Sequence, residues 1–589
     1  MDPPGDGSRD PLTRTADRRP GRTYVPLHAA TRRRDPRPAG RAPALVHGAS
    51  LAVGLGVLAY ADRHLWFFGD EWDFLADRGL HHPLRSIWQP HNEHWSTLPI
   101  LLWRALFSVF GLGTYWPYLL ALLVVHLAAA HLIWRVLLEE RADPWVATAA
   151  VTVFVFFGAG AENLTWAFQI GFVASVAFGW LAIWLAGRRR SAWNEVAVAA
   201  ALLASLSSST IGDAMVVAAA AVLLMRRGLP AAVRTVVVPV AAYAVWFAAV
   251  GRKAVGSDHL GSALAGLAPY FWRGLSGSLG AAVGLHQAGP VIVVGLAGWM
   301  ALSFRRLRRE SPSVLGGAAG AVAFFVLVGL GRAQADVAAD SSRYVYVAAA
   351  LLLPAMAVAA SDALAAARRL PARRVLQAVA VAVGAAVLAS NVSQLETFAA
   401  ARTEMVRANR KQLLAVATLL AGGARSLSPR PVPDDPDLGR ATLVRFVRQG
   451  LLPQVALGEV ARLDALAALD LGVFARPRGD AAGRFTLLGT NGPVSPPLSG
   501  GCRRIGPKPS LQVALRPGAG QGSTVEVITP RGRQEMYAFV VSTLHQDVPG
   551  TALTTEADGR SYVVDEAPGE MLVLTLPGGE VTTLCGLAG

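Results

Sequence analysis

Lysine is nearly missing from this chain: only three of its 55 basic residues are lysine, and the rest are arginine. Charge of either sign is scarce as well, at 16% of 589 residues, where an ordinary soluble protein carries roughly 25%. That poverty, with 53% hydrophobic residues and a mean hydropathy of +0.39, excludes a disordered chain and argues against one large soluble enzyme. A pI near 10.6 by itself points to nucleic acid, but the arginines fall in short runs between apolar segments, as membrane anchoring requires. No nucleic-acid partner is expected. A small-residue cleavage site after the first apolar run is also lacking, so the first span reads as an uncleaved anchor. Residues 1–42 hold ten arginines among Pro, Gly and Asp and read as a disordered basic cytoplasmic tail.

What is present is a series of long apolar runs. A spanning helix needs about 20 mostly apolar residues, and length with apolarity places about eleven spans between 43 and 390. They lie near 43–61, 115–137, 145–160, 166–186, 195–209, 212–225, 231–250, 290–304, 313–331, 345–363 and 374–390. The stretch 195–225 is too long for one crossing, and Ser207-Ser208-Ser209 with Gly212-Asp213 interrupts it, so it is split into a hairpin. Ser96 to Gly111 contains Trp103 and Arg104 and reads as a helix lying in the interface. An odd number of spans puts the termini on opposite sides. The named arginines of the inner loops number sixteen, against eight basic residues spread over the longer outer loops. This bias places the N-terminus in the cytoplasm and the C-terminus outside the cell membrane.

Beyond the last span, residues 391–482 read as a helix over about 396–420, leading away from the membrane, followed by a Pro/Asp linker. From 483 to 589, short Val, Thr and Leu alternations broken by Gly and Pro read as an extracellular β-sandwich. Cys502 and Cys585, the only cysteines, fall near its two ends. An oxidising compartment would join them as a disulfide; two reduced buried thiols are the alternative.

Chemistry-bearing residues gather in the outer loops. After the first span come Asp70, Glu71 and Asp73, then His91, Glu93 and His94, set between aromatics. Carboxylates packed this closely hold a cation, pair with Arg or titrate high, unless the loop is merely solvated. His91 and His94 would share a face if helical, giving with Asp70 and Glu93 a set for a divalent cation such as Mg, Mn or Ca. Glu162, with Asn163, Trp166 and Gln169, is either a polar pocket wall or the tip of a tight hairpin. Arg343 and Tyr344 open the tenth span, and Arg332 closes the ninth. Arg343 and Arg332 bind phosphate oxygens, anchor at the interface, or pair with Asp336 or Asp340. His126 and His131 lie within a span and are expected to pack between helices.

In these features the chain resembles bacterial, actinobacterial-type members of the GT-C superfamily of membrane glycosyltransferases. Asp70-Glu71 matches that family's first-loop acidic motif, Glu162 its second acidic position, and Arg343-Tyr344 an Arg-Tyr ahead of a late span. The resemblance covers roughly the first 390 residues and implies a GT-C-like fold. It also implies transfer of a sugar from a polyprenyl-phosphate donor to a glycan or lipid acceptor of the cell envelope, in cell-wall biosynthesis. Asp70, Glu71 and Glu162 would be catalytic. Arg343, Tyr344, Arg332, His91, His94, Asn163 and Gln169 would bind substrate, and Asp70, Glu93 and His94 would hold any metal. The rival readings are a lipid-carrier flippase or transporter, and a non-catalytic scaffold that binds cell-wall polymer. A transporter would place ionisable groups near mid-membrane, whereas most here lie at the outer interface.

Overall fold

The computed structural model describes residues 40–80, 82–254, 260–332, 337–421, 438, 440–452, 484–507, 511–517, 523–530, 535–541, 551–554, 560–565, 571–576 and 581–588. Most of the basic tail and the Pro/Asp linker lie outside them. Within them the apolar runs become helices α1 (Arg41–Ala61), α2 (Thr97–Phe110), α3 (Trp116–Glu139), α4 (Pro144–Val155), α5 (Ile170–Ala186), α6 (Ala192–Leu206) and α7 (Ile211–Arg227). There follow α8 (Leu229–Ala249), α9 (Leu260–Ala282), α10 (Gly289–Glu310), α11 (Pro312–Arg332), α12 (Ser342–Ala367), α13 (Arg373–Ala421) and α14 (Arg440–Arg448).

Among the described residues, eight helices are long and apolar enough to cross a membrane: α1, α3, α5 with its preceding turn, α8, α10, α11, α12 and α13. The segments expected at 145–160, 195–209 and 212–225 form α4, α6 and α7, which have 12, 15 and 17 residues and fall short of that length. Local chemistry sets the ends. The Asp143 carboxylate caps α4 by accepting from the backbone N–H of Trp145 and Val146, and Ser191 caps α6 through the N–H of Asn194. The break between α6 and α7 falls at Ser207–Thr210, as the run of serines predicts. It is held from outside the hairpin, since the Ser175 hydroxyl donates to Ser205 O at 2.8 Å and Leu98 N–H to Ser207 O at 3.1 Å.

One expectation is corrected by α13. The last apolar segment and the helix expected at 396–420 form one helix of 49 residues, roughly 74 Å at 1.5 Å per residue. No Gly or Pro interrupts it after Gly384. Its second half packs on other parts of the protein. Arg402 stacks on Phe68 and Trp166, Arg410 lies over Trp66, and Val406 and Leu413 join the main apolar core. From α14, Phe446 packs against Phe107 of α2. The described part of 391–482 thus covers the loop that follows α1, because its apolar face finds the aromatic residues of that loop.

The two ends of the bundle differ chemically. At one end, Arg188 pairs with Glu139 at 2.8 Å, Arg226 with Glu140 at 2.6 Å, Arg368 with Asp143 at 2.9 Å, and Arg306 with Asp362. At the other end lie the acidic, histidine-bearing loops. Between them, His126 is fully buried and bonds Tyr346 Oη of α12 at 2.9 Å and Val155 O of α4 at 3.2 Å, so it packs between helices.

The C-terminal segment forms strands β1 (Phe485–Thr490), β2 (Arg503–Ile505), β3 (Leu511–Pro517), β4 (Ser523–Ile528), β5 (Glu535–Val541), β6 (Thr551–Thr554), β7 (Arg560–Asp565), β8 (Met571–Leu576) and β9 (Thr582–Cys585). They make a five-stranded sheet in the order β1-β3-β8-β5-β6 and a four-stranded sheet in the order β2-β9-β4-β7. The pairings within both sheets are antiparallel. Alternate residues Leu511, Val513 and Leu515 of one sheet and Val525 and Val527 of the other fall in a single core, separate from that of the helices. Cys502 and Cys585 are joined by a disulfide.

Candidate functional site

The loop after α1 turns sharply at Gly69, where φ is +59°, a backbone conformation that glycine adopts without steric cost. The turn brings the Phe68 N–H to Glu71 Oε2 at 3.1 Å. Glu71 Oε1 accepts from Tyr115 Oη at 2.6 Å and from the Phe168 N–H at 3.2 Å, and the side chain is fully buried. Burial pushes the Glu71 carboxyl up to about 8, against the pull of Tyr115, the two amides and Arg402. Glu71, expected from sequence to be catalytic, is therefore closed off from solvent. It pins the 68–71 turn to the segment ahead of α5.

Its neighbour Asp70 is the open group of the pair, with a side chain 39% exposed. Asp70 Oδ2 lies 3.7 Å from His91 Nε2, and on the far side of the imidazole Asp73 Oδ2 sits 2.5 Å from Nδ1. Arg78 Nε in turn reaches Asp73 at 3.1 Å. Burial disfavours the charged imidazolium, but the carboxylates of Asp70 and Asp73 outweigh it and hold the pKa of His91 above the usual histidine value. Asp73 stands out as a positioning residue that the choice of sites from sequence left out. Its i+3 spacing from Asp70 was the only available signal.

His91 and His94 do not share a helix. They close a tight turn, in which His91 N–H donates to His94 O at 3.0 Å and His94 N–H to His91 O at 2.9 Å, with Asn92 at φ +50°. The helical reading fails because Pro90 and the left-handed Asn92 favour a turn. His94 Nδ1 lies 2.6 Å from Thr210 Oγ1, and burial pushes its pKa down to about 4 over the opposing pull of Glu93. Glu93 pairs with Arg332. Burial raises its pKa, but the charges of His94 and Arg332 prevail and hold it below the usual carboxylate value. With Glu93 taken by Arg332 and His94 by Thr210, the trio Asp70, Glu93 and His94 does not present a common ligand set. Among the described residues no group of three His, Cys, Asp or Glu side chains is placed to hold a metal ion.

The segment Gly158–Asn163 is not an exposed hairpin tip. It is wedged against α12 and α13, where a Cβ on Gly158 would meet Asn391 O at 1.9 Å and one on Gly160 would meet Tyr346 Cβ at 2.9 Å. Asn391 Oδ1 also accepts from the Ala159 N–H at 3.3 Å. Beyond this wedge, the Glu162 N–H donates to Ser342 Oγ at 3.1 Å, and Glu162 Oε1 lies 3.9 Å from Arg343 Nη1. The Arg343 guanidinium sits 5.7 Å from the centroid of the Tyr344 ring. Nearby in sequence, Asn163 is fully buried with neither amide atom hydrogen-bonded, and Gln169 Oε1 is likewise buried without a partner. Buried amide groups left unpaired are costly in a folded protein.

His94 and Tyr344 link several of these groups electrostatically. His94 feels Glu93, His91, Arg332 and Arg343, while Tyr344 feels Arg343, Arg332, Glu93 and Glu162. Arg402, the second contributor that sequence reasoning missed, approaches from α13. It lies 5.0 Å from the Phe68 ring centroid, 5.5 Å from that of Trp166 and 5.1 Å from that of Phe398, and its charge acts on Asp62 and Glu71. Asp62 is buried with neither carboxylate oxygen hydrogen-bonded, and burial raises its pKa well above the usual value despite Arg402. Comparison with protein-family models, curated proteins and solved structures returns no match for this chain.

Proposed function

We propose that this chain is a membrane glycosyltransferase that moves a sugar from a polyprenyl-phosphate donor onto a glycan or lipid acceptor of the cell envelope. The observation that carries this reading is that His94 feels the charges both of His91, which Asp73 and the open Asp70 flank, and of Arg343, which Glu162 approaches. Asp70 accepts the proton of the attacking acceptor hydroxyl, the acceptor oxygen bonds to the anomeric carbon, and the bond from that carbon to the phosphate oxygen breaks. The departing polyprenyl phosphate gains a negative charge, which Arg343 meets with its planar fork of donors. Glu162 holds Arg343 in place, and His91, fixed by Asp73, orients Asp70. Glu71 positions the loop, and Asn163 and Gln169 supply polar contacts to the sugar. Arg332, neutralised by Glu93, supports this wall and does not bind phosphate directly.

The arginine asymmetry supports a location in the cell membrane with the arginine-paired end cytoplasmic. In that orientation α4, α6 and α7 complete eleven crossings, and the paired sheets form a sandwich outside the cell. The test is incubation of the purified protein with labelled polyprenyl-phosphate sugars and envelope glycan. Asp70→Asn is expected to lower transfer by about 10²- to 10⁴-fold. Undiminished transfer by that variant, or movement of the lipid across the bilayer without transfer, refutes the proposal.

A further inference from the structure

Beside the end of α1, α1 and α13 flank a cleft of about 880 Å³. Its lining changes along both helices in the chain direction. Val57 and Ala61 of α1 and Val392, Leu395 and Ala399 of α13 come first, and Arg63, Arg407 and Lys411 follow. The basic ends meet: the pKa of His64, also in the lining, is lowered by partial desolvation and by the charges of both Arg63 and Arg407. Two carboxylates, Glu396 and Glu404, line the cleft as well. Among the described residues, none of Arg63, Arg407 and Lys411 lies within 4 Å of a carboxylate. Only 22% of the apolar stretch of α1 is buried, and Val57 and Tyr60, which line the cleft, are large apolar side chains left exposed.

Arg63 donates to Tyr60 O at 2.6 Å and its guanidinium lies 3.7 Å from the Tyr60 ring centroid; an apolar trough that ends in cations without carboxylate partners matches an amphiphile with an acyl chain and an anionic phosphate head. We infer that the cleft between α1 and α13 is a binding site for an anionic phospholipid of the surrounding bilayer, with its acyl chain along Val57, Leu395 and Ala399 and its phosphate at Arg63, Arg407 and Lys411. Bulk phospholipid is the occupant because the α1 wall of the cleft carries the exposed apolar side chains Val57 and Tyr60 and because Arg343 and Arg332 take no part in its lining. The inference does not rest on the glycosyltransferase reading.

The experiment is native mass spectrometry of the full chain released from nanodiscs containing equal phosphatidylglycerol and phosphatidylcholine, with a parallel arm that adds a polyprenyl phosphate. Phosphatidylglycerol is expected to be retained at least tenfold over phosphatidylcholine. The triple variant R63A/R407A/K411A should bring the ratio to about one. Ala400→Trp, which fills the trough and keeps the charges, should lower the retention of both phospholipids. Equal retention of the two lipids by the unaltered protein, or enrichment unchanged in both variants, overturns the inference. Retention of polyprenyl phosphate alone overturns it too.

Discussion

Replacing Tyr115 with Phe removes one oxygen that serves two buried partners. Tyr115 Oη donates to Glu71 Oε1 at 2.6 Å and accepts from the Ala167 N–H at 2.9 Å, and all three residues are buried. A hydrogen bond to a neutral carboxyl contributes about 0.5 to 1.5 kcal/mol, and an orphaned buried amide costs about 1 to 3 kcal/mol. Together these weaken the join between the 68–71 turn and the segment ahead of α5 by about 1.5 to 4.5 kcal/mol. At about 1.4 kcal/mol per factor of ten, local opening becomes at least roughly 10-fold more frequent. The Phe68 and Phe168 amides, which both donate to Glu71, report that opening. Hydrogen exchange followed by mass spectrometry on peptides covering the two loops is the assay. Tyr118→Phe is the control, because Tyr118 Oη donates to Gly111 O and not to Glu71. Exchange of the Phe68 and Phe168 amides unchanged in Tyr115→Phe, or accelerated equally in the control, would refute the role assigned to Glu71 as the pin between loops.

The raised pKa of Glu71 has a defined sign. Its folded value of about 8 exceeds the ordinary 4.5, so its contribution to stability is fully present below about 4.5 and is lost as pH rises toward 8. Thermal unfolding across that window should show the protein losing about 1.4 kcal/mol per pH unit relative to Glu71→Gln; parallel curves would count against it. Gly158→Ala forces a methyl against the Asn391 carbonyl, at 1.9 Å in the present backbone. It should destabilise the helical part by about 1 to 3 kcal/mol, whereas Gly56→Ala, with open space around it, should be neutral when melting is compared in detergent. Cys502→Ala opens a loop closed across 83 residues. It should lower the stability of the sheet region by about 2 to 4 kcal/mol, read by limited proteolysis, and leave the helices untouched.

Properties that depend on neighbours in sequence were legible without coordinates. Apolar length placed a helix on each expected segment, and the serines at 207–209 marked the break between α6 and α7, because a short hydroxyl side chain competes for backbone hydrogen bonds wherever it stands. Alternation announced strands such as Leu511–Pro517. Sequence could also name the loops in which acids, histidines and a late arginine collect, since composition is local.

Partnership was decided only by the tertiary structure. Adjacent in the chain, Asp70 and Glu71 look equivalent; one is open and the other sealed because Tyr115 and Phe168, 44 and 97 positions away, close over Glu71. Asp73 became the anchor of His91, and Arg402 the cation nearest the buried acids, through folding of the first loop and the unbroken run of α13. Burial and distance set the protonation state and reach of a side chain, and both are sums over residues brought together from all parts of the chain.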